Sequence, residues 1–244
     1  MAGKNTIIKL ISTVEGLTLV PECLPKPAKN MMPEWWKQTA YEEAHASLDN
    51  VFAGNFKACP SFVDYLTNGF MIPMWTDAII KYDSDIDKYM WRTSSGIFAI
   101  DAHNNSQYLN SVDHLFLGKK SYFVFKFPAP WKMITPKGYS TLQLPAFYHF
   151  NEDFSAIPGV RDSDIYHNLN IQIALHTDKK EIFIPRGTPL AHFVPFKRET
   201  ETLEIVDYKD ILEEDKLTFK KQELELSTKF PGSKIYKHEK KINN

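Results

Sequence analysis

The sequence predicts a mainly β protein organised as a barrel or sandwich, and three observations carry that expectation. Between Phe70 and Arg198, short runs rich in β-branched and aromatic residues recur at regular spacing, bounded by Pro, Gly, Asn and Asp clusters. The chain has 244 residues, above the usual domain size but within the range in which all-β folds run as one unit. Hydrophobic residues make up 43% and aromatics 14%, enough for a sizeable core and too much for a disordered chain.

Residues 7–20 mix β-branched and polar types and read as a strand that meets Pro21. Pro21, Pro25, Pro27 and Pro33 then punctuate a stretch that is neither continuous helix nor central strand. Pro33 suits a first helical turn, so residues 33–46 are expected as a short helix docked by Trp35 and Trp36. Large aromatics dominate burial, and no basic stripe accompanies these two, so core or subunit packing is favoured over base stacking. Between Cys59 and Gly69, Pro60 opens and Asn68-Gly69 closes a compact helix carrying Phe62, Val63 and Leu66.

Residues 70–82 read as a strand pair or as one strand bent at Pro73. Further strands are expected at 89–92, 96–102, 122–126, 139–144, 169–175, 181–185 and 190–196. Residues 199–241 are rich in Glu and Lys, with Ile211, Leu212, Leu217, Phe219, Leu224 and Leu226 embedded among the charges. That pattern suits an exposed C-terminal helix laid against the barrel or a neighbouring subunit, ended by Phe230-Pro-Gly-Ser and followed by a solvated tail at 237–244. The expected organisation is a Pro/Trp-rich N-terminal embellishment (1–69), a β-barrel core (70–198), and a C-terminal helix and tail (199–244).

Charge and cysteine content narrow the function classes. With 29 Lys+Arg against 30 Asp+Glu the net charge is -1, which gives no electrostatic case for nucleic acid or an anionic membrane. Cys23 and Cys59 form no CxxC pair, against a disulfide framework or thiolate zinc site and in keeping with a reducing compartment. No signal-peptide core occurs, and no stretch approaches the ~20 apolar residues of a membrane helix. A soluble cytoplasmic protein is expected.

The most specific pattern lies between Ile134 and Arg198. A turn at Ile134-Thr-Pro-Lys-Gly-Tyr-Ser feeds a strand; Ile157-Pro-Gly-Val-Arg-Asp-Ser-Asp-Ile-Tyr follows, then a strand, then Ile184-Pro-Arg-Gly-Thr-Pro-Leu-Ala-His-Phe. Asp162 and Asp164 sit in a tight acid-lined turn, where alternation points one into a barrel face while the other caps the turn. Gly187 allows positive φ at a hairpin tip.

In order and spacing these pieces resemble the central ladder of the dUTPase and dCTP deaminase superfamily, the β-clip fold. The likeness covers roughly a quarter of the chain. The resemblance implies a β-clip-like barrel, a homotrimer, and a site in which Asp162 orients water or contacts deoxyribose while Tyr166 packs on the sugar. The departures point the other way. Where those hydrolases hold the triphosphate with an Arg-Ser pair, this chain has Pro145-Ala146-Phe147-Tyr148, which offers neither guanidinium nor hydroxyl at the matching positions. The Gln of the last turn is His192, and no Glu matches the deaminase base. Residues 130–140 are also similar to marine bacteriophage proteins, a likeness that brings no function with it.

The candidate site residues are therefore Asp162 and Tyr166 as catalytic groups, and Arg161, Asp164, Arg186, His192 and Arg198 as ligand contacts. The structural alternative pairs Arg161 and Arg186 with Asp162 and Asp164 to pin the hairpins.

Competing chemistry is less well served. His176 and Asp178 have facial-pair spacing, and His192 with Arg198 would complete an Fe(II)/2-oxoglutarate site, but the histidines lie only 16 positions apart. His103, His114 and His149 align on no common face, and neither a nucleophile elbow nor a Gly-rich phosphate loop is present.

Two function classes follow. The first is a non-catalytic, oligomerising structural or interaction module, phage-borne and located in host cytoplasm or virion. The second is a divergent nucleotide-binding or nucleotide-hydrolysing enzyme centred on Asp162. No cofactor is expected, apart from magnesium in the nucleotide case.

Overall fold

A computed structural model describes residues 6–41, 45–46, 51–52, 55–86, 88–96, 100–103, 115–116, 119–120 and 123–228. His114, residues 97–99 of the expected 96–102 strand, the 230–233 stop and the 237–244 tail lie outside the described residues. The strands are β1 (Lys9–Ser12), β2 (Lys26–Pro27), β3 (His45–Ala46), β4 (Val51–Phe52), β5 (Phe70–Pro73), β6 (Ala78–Asp83), β7 (Lys88–Thr93), β8 (Asp101–Ala102), β9 (Leu115–Phe116), β10 (Lys119–Lys120), β11 (Phe123–Ile134), β12 (Tyr139–Pro145), β13 (Phe154–Ala156), β14 (Gly159–Arg161), β15 (Asn168–Leu175), β16 (Glu181–Ile184) and β17 (Pro189–Lys197). The helices are α1 (Glu34–Gln38), α2 (Pro60–Thr67) and α3 (Glu213–Thr228).

The fold is mainly β and its sheets are antiparallel. One sheet runs β1-β11-β15-β13, with β8 also on β11; a second runs β14-β12-β17-β5-β2; a third runs β16-β6-β7. The chain divides into two compact units, one formed by residues 5–33 and 68–198 and the other by 34–67 and 199–244.

All three sheets belong to the first unit and share a core, to which β15 contributes by alternation. Along β15, Leu169, Ile171, Ile173 and Leu175 are fully buried. They join Phe125, Phe127 and Met133 of β11, Ile72 and Phe193 of the second sheet, and Ile80, Ile182 and Ile184 of the third in one apolar cluster. Burying a side chain of this size stabilises the fold by about 1.5–3 kcal/mol before entropy is counted. Gly69, with φ of 70°, lets the chain turn into β5 beside β17; a Cβ there would lie 2.1 Å from the Phe193 carbonyl oxygen.

In the second unit α2 follows the expected rules, with Pro60 at its first turn. The 33–46 helix shrinks to the five residues of α1, because the Thr39 amide and hydroxyl both bond the Trp35 carbonyl (3.0 and 2.7 Å) and close the last turn. Trp36 is buried, and Lys57 Nζ lies 5.8 Å from its ring centre. The C-terminal helix begins only at Glu213, after an extended stretch and a short turn capped by Asp207, whose carboxylate accepts from the Lys209 amide. Leu217, Phe219 and Leu224 are exposed on it.

Other departures are local. The 7–20 strand stops at Ser12, whose hydroxyl donates to the Val14 carbonyl at 2.7 Å; two 3-10 turns follow, Leu17–Leu19 and Pro21–Cys23. Residues 70–82 are two strands in different sheets, β5 and β6. The 122–126 strand extends to Ile134 through Pro128 and Pro130. Its register against β15 breaks between Pro128 and Lys132, so prolines lacking an N–H fall where the ladder is already interrupted. No helix among the described residues is long and apolar enough to cross a membrane.

Candidate functional site

The acid-lined turn follows β14, which pairs antiparallel with β12: Thr141 lies opposite Arg161, Leu142 opposite Val160 and Gln143 opposite Gly159. After Arg161 the backbone coils, and the amides of Ile165 and Tyr166 both bond the Asp162 carbonyl at 3.0 and 2.9 Å. This coiling defeats the expectation that Asp162 and Asp164 point opposite ways. Two residues along a turn are not two residues along a strand, and both carboxylates converge on Arg198.

Arg198 holds the centre of this cluster. Its Nη1 donates to Asp164 Oδ1 (2.8 Å), Ser140 Oγ (2.9 Å) and the Tyr139 carbonyl (3.2 Å), while Nη2 donates to Asp164 Oδ2 at 2.6 Å. Asp162 Oδ1 lies 3.1 Å from Nη1 and accepts the Ser140 hydroxyl at 2.6 Å. The Gly138 amide donates to Asp164 Oδ2 at 2.7 Å, and the Arg198 amide returns to the Gly138 carbonyl at 2.7 Å. A planar guanidinium with a carboxylate on both arms is the strong form of such a pair. The forked Arg198 bonds, helped by the Gly138 amide, hold the Asp164 carboxyl down at about 2. The same contact pushes the Arg198 guanidinium above its ordinary value. The Asp164 side chain is 5% exposed and that of Asp162 54%, so Asp162 is the half of the cluster that meets solvent.

The other candidates separate. Arg161 donates to the carbonyls of Asn168 (2.6 Å) and Asn170 (3.0 Å), tying β14 to β15. Burial lowers its pKa, while neighbouring Tyr166, whose ring centre is 5.9 Å from the guanidinium carbon, raises it. Tyr166 is half exposed and its hydroxyl accepts from Asn168 Nδ2 at 3.3 Å. Arg186 belongs to another hairpin, beside Gly187 (φ 88°), where its amide donates to Asp77 Oδ1 at 2.8 Å. The pairing of Arg161 and Arg186 with the two aspartates is thus replaced: Arg198, from the end of β17, does that work.

His192 is fully buried in β17, and its Nε2 donates to the Asn68 carbonyl at 2.6 Å. Burial lowers its pKa, favouring the neutral ring. It is an interior residue that ties β17 to Asn68, just before β5. His176 also lies in the interior, 3.0 Å from Ser155 Oγ, and among the described residues no group of three or more His, Cys, Asp or Glu is placed to hold a metal.

Beside the turn lies a cavity of about 430 Å³, lined by Gln143, Gly159, Arg161, Asp162, Tyr166 and Gln172 among others. Gln143 Nε2 donates to the Ile157 carbonyl at 2.8 Å; its Oε1 and Arg161 Nε are buried with no hydrogen-bond partner among the described residues. Ser140, Gln143 and Gln172 were not singled out from the sequence. Gln143 and Gln172 are polar residues in strands otherwise rich in apolar ones, which is the signal that marks them.

No protein-family model matches the chain, and no curated protein matches it. Among solved structures it is similar to dUTPases. A variant dUTPase from phage phi11 of S. aureus, described with a structural Mg(II) ion, is 12% identical, with 85% of this chain and 99% of that one covered and a TM-score of 0.36. A variant dUTPase of the 80alpha phage is 11% identical over 85% and 98% of the two chains, with a TM-score of 0.35. The EIAV dUTPase is 13% identical over 55% and 99%, with a TM-score of 0.30.

Proposed function

We propose that this protein is a non-catalytic binding and assembly module on a β-clip-like scaffold, without dUTPase activity. The observation that carries this reading is the engagement of both turn carboxylates by Arg198 and Ser140. Both Asp164 oxygens accept hydrogen bonds from Arg198, and Asp162 Oδ1 already takes the Ser140 hydroxyl beside the guanidinium, so the turn's carboxylates serve the fold before they serve a water or a sugar hydroxyl. The stretch Pro145-Ala146-Phe147-Tyr148, where the resembled hydrolases carry an Arg-Ser pair, supports it further. Under this reading the working core takes in residues 5–33, whose β1 and β2 pair with β11 and β5, together with the expected 70–198 segment. The protein is phage-borne, acts in host cytoplasm or virion, and assembles as a homotrimer.

The test is a panel of deoxynucleoside triphosphates with magnesium, read by pyrophosphate release and by thermal shift. The expected result is neither turnover nor shift. Pyrophosphate release from dUTP or dCTP that disappears in Asp162→Asn overturns the proposal. A monomeric mass by light scattering removes the assembly half alone.

A second reading, nucleotide binding, draws on the buried Gln143 Oε1 and Arg161 Nε beside the 430 Å³ cavity, because a planar base carries donor and acceptor edges suited to such groups. For a magnesium ion that accompanies nucleotide phosphates this turn offers only the solvent-facing side of Asp162, since Asp164 is forked to Arg198. A deoxyuridine or deoxycytidine titration with saturable heat, lost in Gln143→Leu, favours this second reading; a flat titration removes it.

A further inference from the structure

A second cavity, of about 500 Å³, opens where β12 ends at Pro145, and its lining brings together a hydroxyl, an imidazole and a carboxamide. The pairing of β13 with β15 accounts for the first two. Ser155 stands opposite Ala174, and the His176 amide extends the ladder by donating to the Asp153 carbonyl at 3.0 Å. Successive side chains of a strand point to opposite faces, so Ser155 and His176, two residues beyond Ala174, leave the sheet on one side as diagonal neighbours. Ser155 Oγ and His176 Nε2 lie 3.0 Å apart, in residues only 7% and 4% exposed.

The turn after β12 shapes the approach to this pair. The chain passes through a short 3-10 turn, Phe147–His149, and leaves it at Phe150 with φ 49° and ψ 43°, the only non-glycine residue with positive φ among the described residues. That conformation is costly for a bulky side chain. Phe147 and Phe150 both line the cavity and both are exposed, their ring centres 6.2 Å apart. Asn151 follows, and its Oδ1 accepts from the amides of Asp153 and Phe154 at 2.9 and 3.0 Å. A carboxamide held by its oxygen keeps two N–H donors on Nδ2, and Asn151 belongs to the cavity lining as well.

We propose that Ser155 is a nucleophile that takes an acyl group from a small carboxylic ester entering this cavity, with His176 as its base. A serine hydroxyl is a weak nucleophile until a base within about 2.6–3.2 Å takes its proton, and the Ser155–His176 contact meets that requirement. The ring tautomer that accepts on Nε2 carries its own proton on Nδ1. Ser155 Oγ attacks the ester carbonyl carbon as its proton passes to His176 Nε2. Negative charge then gathers on the carbonyl oxygen, and a carboxamide N–H such as those of Asn151 is the kind of donor that stabilises it. The carbon–oxygen bond to the leaving alcohol breaks, the alkoxide takes the proton from His176, and the acyl group remains on Ser155 as an ester. The balance needs no reactant beyond the ester itself. The volume lies in the range of small-molecule sites, and the rings of Phe147 and Phe150 suit an aryl leaving group. The step is a covalent modification of one residue, so it goes beyond the assembly reading and does not rest on it.

The test incubates the full chain with p-nitrophenyl acetate and follows the acetyl group by intact mass and peptide mapping. Acetylation of Ser155 is expected, and it disappears in Ser155→Ala while the melting temperature holds. His176→Gln should slow acetylation of Ser155 at least tenfold and flatten the fall in its rate between about pH 8 and 5, where a histidine base takes up a proton. Mapping on the parent decides the matter even if a variant fails to fold. A parent whose Ser155 stays unmodified under excess ester overturns the proposal, and so does acetylation of Ser155 that proceeds at the parent's rate in His176→Gln.

Discussion

The cavity beside the Asp162 turn and the cavity under Phe147 and Phe150 differ in what their side chains are used for. Around the first, Arg198, Ser140, Gly138 and Arg161 direct their hydrogen bonds at carboxylates and carbonyls of the chain itself, joining the ends of β12, β14, β15 and β17. Around the second, exposed aromatic rings sit on a strained backbone over a buried hydroxyl–imidazole pair. The polarity of the first region is largely spent on the fold, whereas the second region keeps two exposed rings and a positive φ at one of them.

This contrast predicts a graded set of responses. Arg198→Ala should lower the melting temperature most, since it strips both aspartates of their common donor and leaves the nearly buried Asp164 charge uncompensated. Arg198→Lys should recover little of that loss, because a point charge does not replace the fork. A melting temperature within a degree of the parent in Arg198→Ala contradicts the structural role.

Next in size is a pH effect. The Asp164 carboxyl is held at about 2, below its ordinary 3.8, so the folded state binds the proton less readily than the unfolded chain. The stabilisation is fully present above about pH 4 and is lost as pH falls toward 2. Acid melts of Asp164→Asn should show a shallower decline through that window than the parent, and parallel curves speak against the clamp. The smallest expected effect is that of Phe150→Gly, which relieves the positive φ and should leave stability unchanged or raise it by about 1 kcal/mol. Denaturant midpoints measure this, and a clear loss means that the ring supports the fold instead.

Much of the architecture was legible because local signals agree with it. Pro60 and Asn68-Gly69 bracket α2 as written, and the short β-rich runs at 169–175 and 190–196 land on β15 and β17. Expectation failed where a long-range contact overrides a local rule. Pro128 and Pro130 sit inside β11 because the β15 register is already broken there. The acidic turn was recognised, but its partner was not, since Arg198 lies 34 positions from Asp164 and nothing in spacing selects it over Arg161 or Arg186. His192 was offered as a ligand contact from its place in a turn motif, yet both faces of β17 are covered at this point, so it is buried along with its neighbours Ala191 and Phe193. The Phe147–Phe150 rim escaped notice because positive φ at a phenylalanine has no sequence signature.

Asp162 is where the two functions of the turn part company, being half exposed and yet bonded to Ser140 and Arg198. Residues kept for catalysis often cost stability, so replacing them leaves a protein unharmed or firmer, whereas residues kept for the fold weaken it when replaced. The decisive measurement is the thermal melt of Asp162→Asn beside the parent, each with and without dUTP and magnesium. The clamp predicts a lower melting temperature for the variant and no nucleotide shift in either protein. A variant as stable as the parent or more so, together with a dUTP shift present in the parent and absent in the variant, contradicts it.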